Sequence, residues 1–99
     1  MTQQPVAPQQ EIKIADPIAG GEYANAMQVS HTKEEFIMMF ANIIGNNGRV
    51  VSKVITSPGH LKRIIAALQD NLKKYEERFG TITEAAAPSA GKEIGFSGE

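Results

Sequence analysis

The segment SPGHLKRIIAALQDNLKKYEERFG, residues 57–80, carries apolar side chains at Leu61, Ile65, Leu68, Leu72, Tyr75 and Phe79. This 4-3-4-3-4 spacing lines one face of an α-helix, and Ile64 widens the stripe. Ser57 reads as the N-cap and Pro58 as the first helical residue, where a missing N–H costs nothing. Gly80 supplies the stop. Asp70 with Lys74, and Lys73 with Glu77, form i,i+4 pairs on the wet side, which add little. A helix of this length must lay its stripe on something. The expected cover is the chain's own sheet; a seam between helices of two subunits is the alternative, although the pattern lasts under three heptads.

The sheet is read from what precedes the helix. GRVVSKVIT is β-branched and follows GNNG, a hairpin loop with Gly and Asn available for positive φ. GEYANAMQVSH sets Tyr23, Met27 and Val29 against Ala24, Ala26, Gln28 and Ser30, as in a strand with one wet face. EIKIAD is a shorter, weaker strand candidate. HTKEEFIMMFANIIG fits two states. Thr32 and Glu35 form a capping box, and Phe36, Met39, Phe40, Ile43 and Ile44 keep helical spacing up to Gly45. As a strand, the same residues place Phe36, Met38 and Phe40 on one face and Ile37, Met39 and Ala41 on the other, both apolar. Pattern alone leaves the two open.

A single α+β domain is expected over 12–82, with disordered tails at 1–11, which are Gln- and Pro-rich, and at 83–99, which are small and aperiodic. A domain of that size buries only about 60% of its unfolded surface. Cysteine is absent from the 99 residues, so neither disulfides nor thiolate zinc can compensate, and oligomerisation is the expected remedy, a dimer first. No basic and apolar leader opens the chain, and the longest apolar run, FIMMFA, is too short to cross a bilayer. A cytoplasmic protein with no membrane partner is expected.

The net charge of −1 removes the global footprint of a nucleic-acid binder. Its distribution is uneven: residues 49–63 hold four bases, Arg49, Lys53, Lys62 and Arg63, and no acid. The helix start is therefore basic where Asp or Glu would suit the helix dipole. Free N–H groups of Gly59, His60 and Leu61 beside these cations would make an anion site, and Arg49 and Lys53 on the preceding strand would reach the same edge. The bland alternative is a tolerated mismatch with solvated cations, and it is the one favoured.

EYANAMQVSHTKEEF, a second phenylalanine at Phe40, the Pro58-x-His60-x-Lys62-Arg63 helix start, Ala67-Leu68-x-x-Asn71, Tyr75-Glu76 and Phe79-Gly80 form an ordered set. It resembles a family of short bacterial and archaeal proteins catalogued only as a domain of unknown function (DUF3467-like), over about Gly21 to Ile82. That family usually carries an EFxxDF-like alternating pattern where this chain has EFIMMF, so the resemblance implies a strand for this stretch. Met39 stands where the family has an acid, which turns a wet face apolar and suggests a covered face.

The implied fold class is α+β: an antiparallel sheet of three or four strands followed by one long C-terminal amphipathic helix, oligomeric. In outline this is similar to SecB-like export chaperones, an analogy of fold that does not carry function. Catalysis has little to work with: no Cys, two His, two Asp, and no phosphate loop or nucleophile motif. No catalytic residue, cofactor or metal site is assigned; His31, Glu34 and Glu35 match no ligand spacing, and Tyr75 and Phe79 fit a core stripe better than base stacking. The expected function is a small non-enzymatic oligomeric binding module for protein partners, with Ile37, Met39 and Ile43 as interface candidates and Met27, Met38 and Met39 as adaptable apolar contacts. Anion or nucleic-acid binding through the basic helix start stands second.

Overall fold

The computed structural model describes residues 11–88; of the two expected tails, 1–10 and 89–99 lie outside these. Three strands, β1 (Ala26–His31), β2 (Phe36–Ile44) and β3 (Asn47–Thr56), precede one helix, α1 (Pro58–Phe79). They form an antiparallel sheet in the order β1-β2-β3. This is the α+β arrangement expected from the sequence, with three strands.

The ambiguous segment is a strand, and the signal that pointed to a helix has a different use. The Thr32 hydroxyl accepts from the amides of Glu34 (3.1 Å) and Glu35 (3.2 Å), and the Thr32 amide donates to the Glu35 carbonyl (2.9 Å). A threonine that caps a helix bonds the same downstream amides; here it closes the β1–β2 loop. At the other end of β2, the two-residue turn Gly45-Asn46 places only Gly45 at positive φ, +61°. Glycine first in a two-residue hairpin loop is the II′ pattern, whose twist matches the flanking strands.

Two further features hold the sheet in register. Asn25 donates from Nδ2 to the Ile43 carbonyl (3.0 Å) and accepts from the Ile43 amide at Oδ1 (2.8 Å). Its side-chain amide thus copies a backbone peptide and extends the β1–β2 ladder by one pair. In β3, Phe40 faces Ser52 while Ala41 faces Val50, so Val51 is an extra, bulged residue.

EIKIAD does not form a fourth strand. Pro17 cannot donate to a ladder, and the Ile18 amide instead bonds Asp16 Oδ1 (3.0 Å), turning the chain away. Ile12 and Ile14 remain exposed.

The helix also departs from expectation: α1 does not pack on its own sheet. Leu61 and Ile64 near its start are half-buried, but the later stripe is open, with Leu68 66% and Phe79 64% exposed. The cause lies in the junction. Ser57 alone separates β3 from α1, whereas strand-to-helix connections that fold a helix back usually take two to six residues. Pro58 further holds Ser57 extended, at φ −76° and ψ 157°. The helix, about 33 Å long, therefore stands off the sheet. The buried core is correspondingly small: Met38 and Ala41 are the buried hydrophobic residues among those described.

Asn25→Ala removes both bonds to Ile43 at a part-buried site and is expected to lower the unfolding free energy by about 1 to 3 kcal/mol. Urea denaturation checks this; an unchanged midpoint would mean the side chain does not extend the ladder.

Candidate functional site

The cationic candidates do not converge. Arg49 lies beside the Gly45-Asn46 turn, where its guanidinium bonds Glu22 Oε1 at 2.8 Å. Eight residues of strand, about 26 Å, separate it from Ser57. Lys53 lies mid-strand, opposite Met39, about 13 Å from the helix start by the same strand rise. On α1, at about 100° per residue, His60 and Lys62 flank the apolar stripe on opposite sides and Arg63 lies behind it.

The amides are mostly taken as well. The His60 amide donates to Ser57 Oγ (3.2 Å) and the Leu61 amide to the Ser57 carbonyl (3.0 Å). Pro58 has no N–H, which leaves Gly59 alone in this turn to meet an anion. The run of bases in residues 49–63, offered as an alternative anion site, is thus a charge excess along the chain without a shared point in space. The first turn nonetheless contains no acid, and neither Lys62 nor Arg63 has an ion-pair partner among the described residues.

The sheet is the larger feature. Residues opposite one another in register share a face, so Met27, Val29, Phe36, Met38, Phe40 and Val54 lie together. Met27 is 50% and Val29 48% exposed, although the sheet centre beneath them is apolar. Ile37, Met39 and Ile43, the interface candidates from sequence, share the opposite face and are each half-buried. That face is mixed: Gln28, Ser30 and Lys53 interrupt it. Sequence reasoning missed Val29 and Val54 as part of the more continuous apolar patch, because one-faced alternation in β1 suggests a covered inner face, and this one is open.

Among the described residues no three of His, Cys, Asp and Glu come together in a way that could hold a metal. The His31 ring lies 5.3 Å from that of Phe36. No helix among the described residues is long and apolar enough to cross a membrane.

A three-stranded antiparallel sheet with two largely uncovered faces, followed by a projecting amphipathic helix, defines a small α+β protein. The chain belongs to the family described as Protein of unknown function (DUF3467), whose model matches residues 1–84. No curated protein and no solved structure matches it.

Ser57→Ala removes the bond to the His60 amide and is expected to cost about 1 kcal/mol, while Ser57→Asp retains it. Thermal unfolding followed by circular dichroism distinguishes the two; no loss in Ser57→Ala would show that the cap contributes nothing.

Proposed function

We propose that this protein is a small, non-enzymatic, oligomeric binding module for protein partners, acting in the cytoplasm. One observation carries the proposal: a three-stranded sheet presents apolar side chains on both faces while burying only Met38 and Ala41 among its hydrophobic residues. A monomer rarely leaves contiguous apolar surface of this kind uncovered. The sheet face of Met27, Val29, Phe36 and Phe40 suits apolar segments of varied shape, since methionine adapts its side chain to irregular neighbours. The face of Ile37, Met39 and Ile43 is the second contact surface. The likeness to SecB-like chaperones in strand-then-helix order is consistent with clients that are unfolded, but it remains analogy.

The alternative, anion or nucleic-acid binding at the helix start, is disfavoured by the dispersal of Arg49, Lys53, His60, Lys62 and Arg63 and by the occupied amides of His60 and Leu61.

The two differ in salt response, because phosphate contacts weaken steeply as salt rises and apolar contacts do not. With reduced, carboxymethylated lactalbumin as a permanently unfolded probe, binding measured by calorimetry should persist at high salt. It should fall on the order of tenfold or more in Val29→Asp, as for a desolvated anchor at an interface, and be spared in Arg63→Glu. Met39→Asp tests the second face, and its fold should survive because the new carboxylate stands across the strand pair from Lys53. Absence of binding to the probe, or binding that salt and Arg63→Glu abolish, would overturn the proposal.

A further inference from the structure

The apolar stripe of α1 is left open by its own sheet, and its flanking charges indicate what covers it. Leu61, Leu68 and Tyr75 fall at heptad positions d, and Ile65, Leu72 and Phe79 at positions a. On one flank of this seam, at positions e, lie Lys62, Gln69 and Glu76. Beyond the first turn the stripe is 46% to 66% exposed. Two such stripes brought together bury on the order of 1,000 Å², the lower bound for a specific interface.

We infer that α1 pairs with the α1 of a second copy in antiparallel orientation, so that Lys62 of each copy meets Glu76 of the other. This rests on the oligomeric reading above and specifies the surface through which the copies join.

The orientation follows from packing and charge together. Antiparallel pairing brings all six seam residues into register: Leu61 against Phe79, Ile65 against Tyr75, and Leu68 against Leu72, each twice by symmetry. The bulky aromatics of one helix end, whose rings already pack on each other at 4.9 Å, then meet the aliphatic residues of the other end. In this register e positions face e positions, so Lys62 faces Glu76, and Gln69 faces Gln69 at the two-fold axis. Glu76 has an oxygen to spare, since only Oε2 accepts from the Ile82 amide (2.9 Å). The arrangement also sets the positive start of each helix, which lacks any acid of its own, beside the negative end of the other. Parallel pairing would instead bring Lys62 and Arg63 of both copies to one end and stack Phe79 on Phe79.

Sedimentation equilibrium of the full chain tests this with a charge swap. Lys62→Glu and Glu76→Lys, taken singly, each place like charges at two points of the interface and should raise the dimer dissociation constant on the order of tenfold or more. The double variant Lys62→Glu, Glu76→Lys restores both pairs and should return to near the wild-type value. Circular dichroism of each variant separates weakened pairing from a damaged fold. In the chain's cysteine-free background, Gln69→Cys should cross-link to itself with a short bis-maleimide, and Ile65→Cys should not. A wild-type dimer that ignores both single reversals, or a double variant no tighter than the singles, overturns the helix pairing and leaves a sheet-mediated oligomer standing. A wild-type monomer overturns the oligomeric reading itself.

Discussion

The junction Thr56-Ser57-Pro58 is the constraint on which the rest depends. A single residue connects strand to helix, and the proline after it holds that residue extended. The helix consequently leaves the sheet in place of folding back over it. Had the connection been a few residues longer, α1 could have covered the face of Met27, Val29, Phe36 and Phe40 and completed a two-layer monomer. As built, sheet and helix each keep an apolar surface, and among the described residues only Met38 and Ala41 are buried hydrophobics.

On the proposed reading, that division gives the two surfaces different uses. The helix stripe is regular and flanked by charges that complement a reversed copy of itself, which suits pairing of defined geometry. The sheet faces are irregular and carry methionine, which suits partners of varied shape. The sheet itself is secured by local means: the Asn25 side chain extends the ladder, Thr32 closes one hairpin and Gly45 the other. These bonds hold strand register without help from a covering layer.

Much of this fold was legible in the sequence, and the reasons for the misses are physical. The span of α1, its Ser57 cap and its Gly80 stop could be read because they depend on local chemistry; Gly80 adopts φ 99° and its amide bonds the Glu76 carbonyl. The segment 32–44 was ambiguous by pattern alone, and only the family resemblance pointed to a strand, because the Thr32 hydroxyl makes the same hydrogen bonds in a hairpin loop as at a helix start. Helical spacing showed which face of α1 is apolar but not what lies against it, so the missing contact with the sheet could be seen only once the junction was in place. The cationic run 49–63 could be counted but not placed for a similar reason: neighbours along an extended strand separate at about 3.3 Å per residue, and charge counted along the chain does not add at a point. Asn25 stood in the sequence only as part of the family-like strand start at Tyr23 to Asn25, and its role could not be read there, since it depends on Ile43, eighteen residues away.

The most direct test of this account is the mass of the intact assembly. Native mass spectrometry of the full chain, sprayed from low and then high ammonium acetate at micromolar concentration, should show a dimer that persists at high salt, because apolar seams outlast screened charges. A monomer under both conditions would contradict it, since the exposed stripe of α1 would then have no cover to explain it.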